Sequence, residues 1–174
     1  TLFAEVDEQL AEAGAASPAL VVSPAGVGSL AQAAVTHYRS RAASGATSLL
    51  TVEPGAAACI LASLVRGAPG TIATGDTIMA GLNCGTPSLL AWPYLRDGLD
   101  AAVAVADADA AAAVRDLAGN GIPAGPCGGA ALAGARAALT GEGAPPRRAA
   151  LALGPDATVI LLSTEGAAAN PVPV

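Results

Sequence analysis

The chain contains no lysine: all eight of its Lys/Arg positions are arginine, set against fourteen acids, for a formal net charge of −6. With no basic cluster beyond Arg147 and Arg148, that balance excludes the electrostatic footprint of a nucleic-acid or anionic-membrane binder. Charged residues are scarce at 13%, where an ordinary soluble domain carries roughly 25%. Aromatic residues are scarcer still at 2%, so any core must be built from aliphatic and small side chains. Apolar runs are short and broken by Gly, Pro or charge, and none approaches the roughly 20 residues a membrane span needs. One histidine, His37, and three cysteines, Cys59, Cys84 and Cys127, show no CxxC spacing. They leave a zinc site short of ligands and give no even disulfide framework, so reduced thiols are expected. The first residues are acidic and amphipathic instead of basic then hydrophobic, so no signal peptide is expected and the setting reads as cytoplasmic.

What is present is small and apolar. Hydrophobic types reach 53% and glycine alone supplies 21 of 174 residues, enough chain for one domain with a real core. Strand and helix signals alternate, the pattern of a mainly parallel sheet covered by helices on both faces, a three-layer α/β domain over residues 1–174. Phe3, Val6 and Leu10 fall at helical spacing in an opening helix. Strands are expected at 19–23, 47–53, 101–106 and 157–163, with a brief extended piece at 71–73. The last, continuous in Val, Ile and Leu, reads as a strand buried on both faces. Helices are expected at 29–41, 55–66, 89–95, 107–118 and from the second glycine turn to 139, with Asp76 capping a helix begun at Thr77. Residues 142–148 read as a surface loop, 167–174 as a tail, and no internal repeat is visible. His37, alone on its helix, reads as a solvent-facing or satisfied histidine, and Cys59 as core.

Two glycine turns carry the chemistry. In the first, the apolar strand ends in Ala25, Gly26, Val27 and Gly28 and a helix begins at Ser29, which aims backbone N–H groups at a phosphate. The spacing Gly26-x-Gly28-x-x-Ala31 also satisfies a dinucleotide fingerprint, with Glu53 ending the next strand where a ribose-binding acid would sit. A nicotinamide-dinucleotide domain is therefore one reading, and a tight strand–helix connection without ligand another. The second turn, residues 125–129, places Cys127 and small residues at a helix start where a ring could approach the backbone.

Taken with the stretch TIMAGLNCG at 77–85 and the ending STEG at 163–166, these turns resemble the fold-type II pyridoxal 5′-phosphate (PLP) enzymes, and among them the diaminopropionate ammonia-lyase family. The resemblance runs from residue 1 to about residue 171. It implies that Ala25, Gly26, Val27, Gly28 and Ser29 form a phosphate cup, that Gly81 passes beside the cofactor ring, and that Cys127 sits beside the ring nitrogen. Asn83 and Cys84 would line the substrate side. The implied activity is α,β-elimination on a small, diaminopropionate-like amino acid, giving pyruvate and ammonia. The lysine that would bind the cofactor covalently belongs to an amino-terminal half ahead of everything aligned here, so the chain reads as a carboxy-terminal half that needs that segment, in the same or a separate polypeptide. A homodimer is implied as well. No residue of the chain itself is assigned a catalytic proton transfer. The sequence departs from the lyase pattern at Thr86, where those enzymes carry Glu, within 125–129, and at Ala167, which replaces an acid. A noncatalytic module on the same fold is the remaining alternative.

Overall fold

A computed structural model describes residues 1–40 and 47–170. Four strands, β1 (Leu20–Pro24), β2 (Ser48–Pro54), β3 (Ala101–Val105) and β4 (Val159–Leu161), form one sheet in the order β3-β2-β1-β4. All three pairings are parallel, with Val22 opposite both Leu50 and Leu161.

Strand pleating divides the core between two faces, because successive side chains point to opposite sides. Leu20 and Val22 of β1, Leu50 and Val52 of β2, and Val159 and Leu161 of β4 face one cluster. Helices α5 (Asp107–Gly119) and α6 (Pro126–Leu139) cover that face through alanines such as Ala110, Ala113, Ala130 and Ala131. Val21, Leu49 and Ile160 point the other way, toward Phe3 of α1 (Leu2–Glu12) and Ala34, Val35 and Tyr38 of α2 (Ser29–Ser40). A third cluster joins Ala25 and Ala31 to Ile60 of α3 (Cys59–Arg66) and Leu95 of α4 (Trp92–Gly98). The expected three-layer architecture is present. Among the described residues no helix is long and apolar enough to cross a membrane.

Small residues let α6 lie directly on the sheet. A Cβ on Gly134 would stand 2.1 Å from Val52 Cγ2, inside van der Waals contact, so this position admits only hydrogen.

Several expected elements differ, each for a local reason. Residues 71–73 join no ladder and are held by the bond from Ile72 N–H to the Gly85 carbonyl, 2.9 Å, and by the paired hydroxyls of Thr71 and Thr86, 2.9 Å apart. Asp76 caps no helix, since Thr77 lies in an irregular segment leading to a 3₁₀ turn at Ala80–Leu82. Instead Asp107, at the start of α5, takes the Thr77 hydroxyl at 2.5 Å and Ile78 N–H at 3.0 Å. The helix expected at 55–66 is broken at Ala58, with a 3₁₀ turn at Gly55–Ala57 before α3. The one expected at 89–95 starts later, as α4, leaving Leu89 and Leu90 in an exposed turn. The loop expected at 142–148 contains a seventh helix, α7 (Ala144–Ala150), because prolines are tolerated in a first turn whose N–H groups have no helical acceptor. Strand β4 is shorter than expected and only half-buried, as it forms an edge of the described sheet. In α1, Phe3 is buried while Val6 and Leu10 are only partly so. The expected end of the second helix at 41 and the tail beyond 170 lie outside the described residues.

His37 is a satisfied histidine. Its Nε2 lies 2.8 Å from Asp7 Oδ2, and its ring stacks on Phe3 and meets Tyr38 edge-on, which ties α1 to α2.

Candidate functional site

The strand order locates a site before any side chain is considered. From β1 the chain moves outward through β2 and β3, then returns to place β4 on the other side of β1. Ligands of open parallel sheets bind outside the carboxyl ends of strands at such a reversal. The segments that leave those two strand ends are the Gly26 turn after β1 and residues 164–166 after β4.

A cavity of about 600 Å³ opens there. Its lining includes Ala25, Gly26, Val27, Gly28 and Ser29 on one side and Gly81, Cys84 and Cys127 on the other. Two glycine turns separated by a hundred residues of sequence therefore share one space. Of the expected site residues, Asn83 alone is missing from the lining; its side-chain amide donates to the Gly75 carbonyl at 3.0 Å and braces the approach to the 3₁₀ turn. Thr164, Glu165 and Gly166 complete the wall beside Cys127. The STEG tetrapeptide is visible in the sequence, but its place on the wall is not, because tertiary contacts such as the pairing of Ala124 with Gly166 bring it to the second glycine turn.

The first turn lines the cavity, and of its N–H groups that of Ala25 is taken by the Val52 carbonyl at 2.8 Å. Its carbonyls are taken by the protein: that of Gly26 by the Cys59 thiol at 3.6 Å, that of Val27 by Ser88 N–H at 2.9 Å, and that of Gly28 by Gln32 N–H at 2.8 Å. The first N–H groups of α2 have no intrahelical carbonyl, and the helix dipole places partial positive charge at them. Gly28 has φ +97°, a conformation that side chains other than glycine rarely adopt, and a Cβ there would meet Leu95 Cδ1 at 2.6 Å. A Cβ on Gly26 would meet Cys84 Sγ at 2.9 Å and the Gly81 carbonyl at 3.4 Å. The turn is thus a cradle whose shape depends on missing side chains.

Cys127 stands in the first turn of α6, buried, with its sulfur 3.3 Å from where a Cβ on Gly81 would be. Burial pushes its thiol up to about 11, so it is a neutral donor and no nucleophile. Thr164, beside it on the same wall, is exposed. Cys59 lies behind the cup; burial, then the neighbouring Glu53, push its thiol up to about 12. It is a core residue, as expected.

Glu53, the acid on which a dinucleotide reading depends, is spoken for. It is fully buried and accepts Ile60 N–H and Leu61 N–H at 2.7 Å each, one on each carboxylate oxygen, capping α3. Neither oxygen is left for a ribose. Among the described residues no group of His, Cys, Asp and Glu could hold a metal ion.

A parallel three-layer sheet with a glycine cradle and a helix N-terminus on one side of a cavity at its reversal point, and Cys127 on the other, is the arrangement of a cofactor-binding α/β domain. This chain belongs to the family of pyridoxal-phosphate dependent enzymes, which it matches over residues 1–164. Its cofactor is pyridoxal 5′-phosphate. It is 36% identical over 177 residues to the diaminopropionate ammonia-lyase of Escherichia coli K12, covering 95% of this chain and 43% of that protein. It is 37% identical over 119 residues to the same enzyme of Salmonella typhimurium, covering 66% of this chain and 29% of that one. The E. coli lyase, solved in complex with an aminoacrylate-PLP azomethine reaction intermediate, superposes with a TM-score of 0.79 at 35% identity, over 95% of this chain and 43% of that one. A threonine deaminase from T.th. superposes with a TM-score of 0.77 at 26% identity, over 93% of this chain and 53% of that one. The chain thus spans less than half the length of the curated relatives it matches.

The residues present fit that cofactor. The cradle offers N–H groups and a helix dipole to a phosphate without any basic side chain, and glycines stand where a Cβ would intrude.

Proposed function

We propose that this chain forms the cofactor-cradling part of a PLP-dependent ammonia-lyase that removes the β substituent of a small, diaminopropionate-like amino acid. The observation that carries this reading is the single cavity shared by Gly26 and Cys127. Similarity to diaminopropionate ammonia-lyases along nearly the whole chain supports the reaction class.

In this reading the cup of residues 25–29 holds the phosphate through the N–H groups after Ala25, whose own N–H donates to the Val52 carbonyl, with Ser29 at the mouth of α2. Gly81 gives the ring room on one side. Cys127 and Thr164 stand on the wall assigned to its nitrogen edge, and both are neutral hydrogen-bonding groups there. When bound, PLP supplies an electron sink for the Cα–H bond of an amino acid, and a neutral partner at its nitrogen keeps that sink modest, which suits β-elimination. Cys84 lies on the side left for substrate. With no lysine among the 174 residues, the covalent anchor and the base for the Cα proton come from a segment outside this sequence. Elimination from diaminopropionate and hydrolysis of the product consume one water and release pyruvate and two ammonia molecules. Assembly with that lysine-bearing segment, and pairing into a homodimer, belong to the same proposal.

The test is to titrate PLP into the chain alone and into the polypeptide that includes a lysine-bearing segment, then assay pyruvate and ammonia from diaminopropionate, serine and threonine. Elimination that requires the lysine-bearing segment, with diaminopropionate preferred, is the expected result. Tight binding of NAD, or no PLP binding by the longer protein, overturns the reading.

A further inference from the structure

Glu165 is the one charged residue in the cavity's described lining, and the fold holds it firmly. Its Oε2 accepts Cys127 N–H at 2.9 Å, which caps the first turn of α6, and its backbone carbonyl accepts Gly125 N–H at 2.8 Å. The two glycines around it make the seat possible. A Cβ on Gly125 would lie 2.6 Å from Glu165 Oε2, and one on Gly128 would lie 2.7 Å from the Glu165 carbonyl oxygen. Among the described residues no arginine forms an ion pair with this carboxylate, so the N-terminus of the 14-residue helix α6 is its counter-charge. The titratable groups near it in the cavity are Cys127 from α6 and Cys84 from the segment after the 3₁₀ turn; the β1–α2 turn and Gly81–Leu82 contribute none. The carboxylate acts on its neighbour, since its charge and hydrogen bond both add to the upward push that burial exerts on the Cys127 thiol.

We infer that Glu165 is a positioning residue for the ring-nitrogen side of the cofactor: it holds Cys127 and Thr164 on one wall and makes that wall electronegative, an inference that rests on the assignment of this cavity to PLP. Relative to the neutral Cys127 and Thr164 alone, the Glu165 charge shifts the ring nitrogen some way toward its protonated form, so a sink that stays modest is tuned at one remove, through a residue that need not touch the ring.

The experiment uses the full-length enzyme with E165Q and E165D. Gln has the same size and retains an acceptor for Cys127 N–H, and thermal unfolding of each variant reports whether the fold survives. In the cofactor-free protein, alkylation of Cys127, followed residue by residue by mass spectrometry, is expected to be faster in E165Q than in wild type at equal pH. In the PLP-loaded protein, E165Q is expected to keep PLP affinity within roughly threefold, because the phosphate cup is untouched. The pH midpoint of the bound cofactor's absorbance is expected to move down by about one unit, with E165D restoring part of the shift. Unchanged alkylation and an unchanged midpoint in E165Q overturn the inference, as does joint loss of PLP binding and thermal stability, which marks a purely structural residue. If the wild-type enzyme binds no PLP, the cavity assignment fails and takes the inference with it, while the alkylation rates still report whether Glu165 acts on Cys127.

Discussion

The sulfur of Cys84 lies 2.9 Å from the point where a Cβ on Gly26 would stand, so the floor of the cup and the loop across the cavity are in contact through a missing methyl group. Gly26→Ala is expected to lower PLP affinity at least about tenfold, because the intruding methyl must displace either the sulfur or the backbone proposed to hold the phosphate. Adding Cys84→Ala is expected to recover part of the loss. Cofactor titrations of the single and double variants measure this, and strict additivity of the two changes would contradict it.

Asp107 clamps the segment leading to Gly81 by taking the Thr77 hydroxyl and Ile78 N–H, and Asn170 Nδ2 holds the Ile78 carbonyl at 2.9 Å. Asp107→Asn is expected to cost about 1 kcal/mol in stability and to weaken PLP binding a few-fold by loosening the Gly81 side of the cavity. Urea unfolding and cofactor titration of the same preparation check both parts.

Gly134 lets α6 settle on Val52 of the sheet. Gly134→Ala is expected to destabilise by roughly 1–3 kcal/mol, since its methyl has no space, and Val52→Ala in the same chain is expected to relieve part of the strain. Chemical denaturation of the two single variants and the double variant decides the point.

Burial pushes the Glu53 carboxyl from 4.5 up to about 7, against the opposing effect of its bonds to Ile60 N–H and Leu61 N–H. A carboxyl that holds its proton more tightly folded than unfolded favours folding at low pH. This contribution is therefore full below about pH 4.5 and is lost as pH rises toward and through 7, by up to about 3 kcal/mol. Unfolding free energies between pH 5 and 8 are expected to show this fall in the wild type, and Glu53→Gln, uncharged throughout, is expected to flatten it.

The alternation of strands and helices, the turn after β1 and the start of α2 at Ser29 are all legible in the sequence, because glycine placement and apolar runs act over a few residues. Most errors fall where a distant residue decides. Thr77 looks like a helix start with Asp76 as its cap, yet Asp107, thirty residues away from Thr77, claims its hydroxyl. Glu53 looks like a ribose-binding acid, yet α3 uses both its oxygens. The prolines at 145 and 146 suggest a loop, though they sit in the opening turn of α7.

The sequence by itself determined the alternating α/β architecture and the glycine turn between β1 and α2, since both are written in short-range spacing, and its motifs carried the family resemblance. Only the tertiary structure decided which residues share the cavity. It brought Glu165 to Cys127, 38 positions apart, and placed Thr164 beside them while turning Asn83 to the Gly75 carbonyl. Those outcomes follow from strand order and from close packing across glycines, and neither can be computed from local spacing, because each depends on where the chain returns after leaving the sheet.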